Sequence, residues 1–171
     1  MGLAASGLIT AAADIHLTDL LPILPNLRYN IEQNASLVER TGSTTVITAG
    51  VLDWSEIDES TAVRDDDGDG DEDENEKYDI ILAADSLYAP EHSGWVVGAM
   101  GKYLKRGEGA RVFVELPLRP GSVYPGDFRR GMEGRGFEVV EEGEESGIDD
   151  WEDEEGEGME VRCWYSVWAW A

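Results

Sequence analysis

The sequence predicts an α/β fold, in which helices cover both faces of a largely parallel sheet. Short apolar or β-branched runs alternate with stretches of helical spacing over most of the chain. One of these runs, Ile80 to Ala84, is continuous and ends on Asp85, as in strands that are buried on both faces. Residues 159–171 alternate with a period of two, which predicts a closing antiparallel hairpin.

The net charge of −24 is concentrated in two segments. Residues 56–76 hold 12 acids and one Arg, residues 138–160 hold 13 acids and no base, and the remaining residues carry 12 of each sign. The sequence therefore predicts one domain, 1–171, with acidic, disordered insertions at about 56–76 and 141–160. Such segments repel phosphate backbones and anionic lipids, so we expect neither a nucleic-acid nor a membrane partner.

The single cysteine, Cys163, excludes an internal disulfide and indicates a reducing compartment. We expect a cytoplasmic protein, with the nucleus as a second location. The amino terminus lacks the basic flank of a signal peptide, and no apolar run approaches the roughly 20 residues of a membrane span.

The first predicted elements are a helix and a strand. Residues 2–13 are small and apolar, which favours a helix packed closely on a sheet. Ile15 to Leu20 follows as a strand with Asp19 at its carboxyl end. An acid there binds ribose hydroxyls in doubly wound nucleotide-binding folds, but Asp at a strand end is also common in turns.

The next helix and strand follow two prolines. Asn26 is predicted to cap a helix that runs through residues 27–40. The β-branched run Thr44 to Ala49 predicts a strand, with Trp54 shortly after it. The indole of Trp54 suits either the core or the face of a planar ligand.

The acidic segment contains a pattern that resembles a calcium-binding loop. Residues 65–76, DDDGDGDEDENE, place acids and a glycine where such loops need them. Glu72 nevertheless stands where paired loops carry an apolar residue, and no amphipathic helix flanks the segment. We therefore expect no specific metal site here.

The strand Ile80 to Ala84 leads into the most informative residues. Asp85 and Tyr88 follow its carboxyl end, where ligands of parallel sheets bind. In the alternative interpretation, Asp85 caps the next helix and Tyr88 packs beside it.

The second half of the chain continues the alternation. It predicts a helix at 92–104 with His92 facing solvent, a strand at 111–118 and a helix at 124–137. Residues 137–141 would then pair with the carboxyl-terminal strand. The Trp residues of that last strand are expected to face the helices as core.

The order of LTDL, LDW, YDIILAADSLY, VELPLR and CWYSVWAW resembles the seven-β-strand S-adenosylmethionine-dependent protein-lysine methyltransferases, methyltransferase family 16, and their fungal members most closely. The resemblance covers nearly the whole chain except the two acidic stretches. Its most specific part is the acid-x-x-aromatic motif, Asp85 to Tyr88. It implies a Rossmann-like sheet with a carboxyl-terminal antiparallel hairpin.

The resemblance also implies a cofactor, a substrate and site residues. The cofactor would be S-adenosylmethionine, and the substrate a protein with an accessible lysine. Asp19 would bind the cofactor ribose, Trp54 would lie by the adenine, and Ala84 would contact the cofactor. Asp85 and Tyr88 would line the entrance where lysine meets the methyl group.

The chain departs from the family pattern in one respect. The first strand and its Gly-rich turn are expected before Gly2, so we expect an amino-terminally truncated domain. In the family strand order 3-2-1-4-5-7-6 that strand is central, and without it strands two and four lack a shared neighbour.

Two other functions fit the same residues. A non-catalytic relative would use the acidic segments to bind a partner. A small-molecule or nucleic-acid methyltransferase would share the fold, but the net charge disfavours nucleic acid. The sequence Asp85-Ser86-Leu87-Tyr88 also replaces the N-P-P-Y-like motif that clamps bases.

Overall fold

The computed structural model describes residues 14–40, 44–57, 77–118, 124–152 and 158–171. These residues form strands and helices that alternate and end in a hairpin: β1 (Asp14–Asp19), α1 (Leu24–Arg40), β2 (Val46–Val51), β3 (Ile80–Ala84), α2 (His92–Tyr103), β4 (Arg111–Pro117), α3 (Tyr124–Gly134), β5 (Phe137–Glu152) and β6 (Gly158–Trp170). A 3₁₀ turn spans Trp54–Glu56. The predicted helix at 2–13 and the calcium-loop pattern at 65–76 lie outside the described residues.

The strands form two sheets, which belong to two compact units, Met1–Asp53 and Trp54–Ala171. In the first unit β1 and β2 pair in parallel. In the second unit the order is β3-β4-β6-β5, with β3 and β4 parallel and β6 antiparallel to both of its neighbours. Among the described residues these pairings match the segments 3-2 and 4-5-7-6 of the family strand order, and the α/β class with a closing hairpin is confirmed.

In the first unit, α1 packs beside the strand pair and buries Leu24. The helix begins at Leu24, so the prediction that Asn26 caps it is wrong. Pro25 instead occupies the first turn. Proline is tolerated there because the first backbone N–H groups of a helix have no intrahelical acceptor.

The core of the second unit lies between the sheet and helices α2 and α3. Phe128 of α3 meets Trp164 and Trp168 of β6 edge-on, with ring centroids 6.3 and 6.1 Å apart. Trp168 is fully buried, and its indole N–H donates to the Ser166 hydroxyl at 2.7 Å. The prediction that the Trp stripe faces the helices is confirmed.

The prediction that residues 80–84 are buried on both faces is wrong. Ile81 and Ala83 pack against the core, but Ile80 and Leu82 are each 55% exposed. The reason is that the described helices of this unit pack against the opposite face of the sheet, in which β3 is the edge strand among the described residues. No helix among the described residues is long and apolar enough to cross a membrane.

The closing hairpin is longer than predicted. β5 continues through Glu152 and pairs with β6, so residues 141–152 form a strand where the sequence predicts a disordered insertion. The ladder joins backbone groups, and the described acidic side chains of 141–148 are exposed to water, so their charge does not prevent pairing. Arg129 and Arg162 form ion pairs with Glu142 and Glu144. Residues 153–157 lie outside the described part of the chain.

Candidate functional site

The chain turns sharply where β3 ends. Asp85 has φ 47°, in the left-handed region, and is the only non-glycine residue with a positive φ among those the structure describes. Its backbone N–H donates to the Glu115 carbonyl of β4 at 2.8 Å, which extends the ladder by one residue. Asp tolerates this conformation better than most residues, and strained backbone of this kind clusters at functional sites.

The turn buries the middle of the motif and exposes its end. Leu87 is 4% exposed and belongs to the core of the second unit, whereas Tyr88 is 62% exposed. Ser86 is also buried, and its hydroxyl has no hydrogen-bond partner among the described residues. The motif is thus anchored by Leu87 and presents an aromatic ring at the surface.

Tyr88 belongs to a group of rings, here called the aromatic cluster, formed by Trp54, Tyr88, His92 and Trp95. The His92 ring lies at its centre, 6.2 Å from Tyr88 and 6.5 Å from Trp54, both edge-on. Trp95, one turn further along α2, lies 5.4 Å from His92 at 31°. The half-buried Trp54 also packs against the core.

The prediction that His92 faces solvent is therefore wrong. His92 is half-buried, and its Nδ1 accepts a hydrogen bond from the Tyr88 backbone N–H at 3.2 Å. A nitrogen that accepts cannot carry a proton, so this bond requires the neutral ring protonated at Nε2. Helical periodicity does not predict this hydrogen bond, because Tyr88 comes before α2 and the turn brings its backbone N–H to the His92 ring.

The alternative interpretation of the motif is wrong for Asp85 but confirmed for Tyr88. The residue at the N-cap position of α2 is Glu91, without a side-chain capping bond, so Asp85 does not cap this helix. Tyr88 does pack beside the helix, since its ring lies 6.2 Å from the ring of His92, the first residue of α2. Ala84 lies at the carboxyl end of β3, opposite Glu115, directly before the acid.

Asp19 lies at the corresponding end of β1, in the first unit. Its Oδ1 accepts from the Leu20 N–H at 2.7 Å, and its backbone carbonyl accepts from the Leu52 N–H at 3.0 Å. The first bond is a local turn contact of the kind that Asp often makes. The other carboxylate oxygen of Asp19, Oδ2, has no protein donor among the described residues.

Solved structures identify the class of fold. The structure of TehB from Haemophilus influenzae aligns with 92% of this chain and 50% of its own, with a TM-score of 0.57 and 12% identity. A second solved structure comes from a study of the conversion of a disulfide bond into a thioacetal group during echinomycin biosynthesis. The alignment covers 96% of this chain and 70% of the solved chain, with a TM-score of 0.59 and 12% identity. At such identities the likeness shows the fold alone.

The sequence identifies the family. The lysine methyltransferase family profile matches residues 1–113, and the chain belongs to this family. The protein-lysine N-methyltransferase rrg1 of Schizosaccharomyces pombe is 30% identical over 96% of this chain and 52% of its own length. The protein-lysine N-methyltransferase EFM2 of Saccharomyces cerevisiae is 30% identical over 83% of this chain and 30% of its own. The chain therefore spans about half the length of the first relative and less of the second. The family implies S-adenosylmethionine as the methyl donor.

Proposed function

We propose that this chain acts in the S-adenosylmethionine-dependent N-methylation of protein lysines. One observation supports this most directly: an acid on a sharply turned backbone, Asp85, stands at the carboxyl end of β3, three residues before the exposed ring of Tyr88. Family membership and the names of the two yeast relatives support the same activity.

The described residues suit the parts of the cofactor. Oδ2 of Asp19 can accept from ribose hydroxyls, and the half-buried indole of Trp54 offers a flat apolar surface to the adenine. Ala84, at the end of β3, presents no bulky side chain. We propose these three residues as cofactor contacts. The bound cofactor would supply a methyl group attached to a sulfonium.

Asp85 and Tyr88 suit the acceptor. A free lysine has a pKa of about 10.4 and must lose a proton before its nitrogen can attack. The Asp85 carboxylate can hold the incoming ammonium by charge, and the Tyr88 ring can hold it by a cation–π contact. Methyl transfer needs no protein nucleophile, so these residues would act mainly by positioning the nitrogen.

The proposal is tested first by calorimetric titration with S-adenosylhomocysteine. We expect saturable binding that Asp19→Ala weakens at least about tenfold, since hydrogen bonds to a charged group contribute about 1.5–3 kcal/mol each. Asp14→Ala, at the opposite end of β1, is the matched control and should bind normally. Lysine methylation of a protein extract, detected by mass spectrometry, then tests the reaction itself.

A second candidate is a non-catalytic acidic binding module. The observation in its favour is the exposed acidic side chains of β5. Folded protein that binds no S-adenosylhomocysteine would favour this candidate. In either case we propose a basic protein as the partner rather than nucleic acid or membrane, because the net charge is −24. A cytoplasmic or nuclear location would suit the single cysteine.

A further inference from the structure

We propose that His92 is a positioning residue for the acceptor lysine, acting through the backbone of Tyr88. This inference deepens the proposed function and rests on it. The observation behind it is that the four-residue motif Asp85 to Tyr88 is held at both ends by hydrogen bonds, and His92 supplies one of them.

The first bond fixes the start of the motif. The Asp85 N–H donates to the Glu115 carbonyl, a backbone group that no side-chain substitution removes. The second bond fixes the end, where the Tyr88 N–H donates to Nδ1 of His92. Between them, Leu87 is buried in the core. Of the two hydrogen bonds, the second is the one that depends on the identity of a side chain.

The His92 ring is held in turn by its neighbours. It begins α2, and Trp54 and Trp95 contact it in addition to Tyr88. Aromatic pairs of this geometry contribute beyond the area they bury, and they limit the rotation of the ring. A ring held this way keeps Nδ1 directed at the Tyr88 amide.

Loss of this hydrogen bond would affect the part of the site that is proposed to hold the acceptor lysine. Tyr88 is 62% exposed and does not belong to the buried core, so its backbone bond to His92 contributes to fixing where its ring stands. Loss of the Nδ1 acceptor would leave the Tyr88 amide without this bond and let the end of the motif shift relative to Asp85. A shift of about 1 Å in groups that position a nucleophile is enough to slow transfer substantially.

Two substitutions separate the acceptor atom from the ring. His92→Asn keeps a hydrogen-bond acceptor at the δ position but removes the ring. His92→Phe keeps a ring of similar size but removes the acceptor. If the hydrogen bond matters, Asn should preserve acceptor kinetics and Phe should not; if only packing matters, the order should reverse.

The kinetic test uses the full chain with S-adenosylmethionine and a lysine-containing acceptor protein. We expect His92→Phe to lower kcat/KM for the acceptor about three- to tenfold, the effect of one neutral hydrogen bond. We expect His92→Asn to stay within about twofold of the parent chain in acceptor kinetics, and His92→Phe, which keeps a ring beside Trp54, to keep the parent affinity for S-adenosylhomocysteine. Equal losses in both variants, or a loss confined to Asn, would overturn the proposal.

A second readout does not depend on activity. In the ¹⁵N spectrum of the histidine ring, we expect Nδ1 to show the chemical shift of an unprotonated, hydrogen-bonded nitrogen. We also expect the Tyr88 amide to exchange slowly in the parent chain and in His92→Asn, and faster in His92→Phe. If the parent chain transfers no methyl group, the proposed function fails, while these spectra still show whether the hydrogen bond forms. A protonated Nδ1, or a Tyr88 amide that exchanges alike in all three proteins, would refute the role of this hydrogen bond.

Discussion

Asp85 combines two requirements in one residue. Its backbone lies in a region that most side chains avoid, and its carboxylate stands at the carboxyl end of a strand of a partly parallel sheet. Asn shares the tolerance for positive φ but lacks the charge. The two requirements can therefore be separated by substitution.

We predict that Asp85→Asn keeps the stability of the chain but lowers acceptor kcat/KM about 10- to 100-fold. The reason is that a hydrogen bond to a charged group contributes about 1.5–3 kcal/mol. Initial rates over a range of acceptor concentrations would measure the loss, and thermal unfolding would check stability. Asp79→Asn, at an exposed carboxylate paired with Lys105, is the matched control and should keep its activity. Unchanged activity of Asp85→Asn would remove Asp85 from the acceptor site.

At the scale of the elements, the two core helices of the second unit meet through a glycine. A Cβ built on Gly131 of α3 would lie 3.2 Å from Cγ2 of Val97, which is itself buried in α2. Interiors are packed closely, so a large side chain at this point has no free space to enter. The spacing of the helices behind the sheet therefore depends on this position.

We predict that Gly131→Leu destabilises the chain by about 1–3 kcal/mol, the usual range for overpacking. Urea unfolding followed by tryptophan fluorescence would measure the change. Gly134→Leu is the control on the same helix, since nothing lies within 4 Å of a Cβ there. Equal stabilities of the two variants would show that α2 and α3 move apart without cost.

Tyr165, in strand β6 of the hairpin, has a raised pKa. Partial burial raises the pKa of the Tyr165 phenol, and the nearby Glu141 carboxylate, 3.4 Å away, raises it further. The folded chain thus disfavours the phenolate relative to the unfolded chain. The contribution of this group to stability is complete below about pH 10 and is lost as the pH rises through the raised pKa.

We predict that Glu141→Gln lowers the pKa of Tyr165, although burial keeps it above the ordinary value. Absorbance titration of phenolate, compared with the same titration of a Tyr165→Phe protein, isolates this residue. Glu138→Gln on the same strand is the control, because Glu138 is not among the groups that raise this pKa. A Tyr165 titration that Glu141→Gln leaves unmoved would contradict the assigned cause.

At the scale of the whole molecule, the two sheets differ in how many partners each strand has. β4 lies between β3 and β6, and β6 lies between β4 and β5. In the first unit, β1 and β2 each pair with one strand among the described residues. Two-stranded sheets depend heavily on what packs against them.

We predict that amide hydrogen exchange is slowest in β4 and β6 and faster in β1 and β2. The reason is that strands paired on both sides open only when the core opens. Mass spectrometry of peptides after timed exchange would measure this order. β3, paired on one side within the larger sheet, is the internal comparison and should be intermediate. Equal protection in both sheets would contradict the expected difference.

Much of the fold could be predicted from periodicity. The strand at 111–118 and the helix at 124–137 lie within a few residues of β4 and α3, and the Trp stripe of β6 faces the helices as expected. The prediction for the closing hairpin was wrong because strand pairing determines the structure there. Local composition favoured disorder at 141–152, but the backbone ladder with β6 orders that segment.

The alternation of strands and helices, the family, and the place of Asp85 and Tyr88 after a strand could all be predicted from the amino-acid sequence. Each of these depends on the local order of residues along the chain, which is visible in the amino-acid sequence. The exposed face of β3, the turn at Asp85 and the hydrogen bond from the Tyr88 amide to His92 became known from the three-dimensional structure. These depend on contacts between elements, and no periodicity encodes the direction in which a turn sends a backbone N–H.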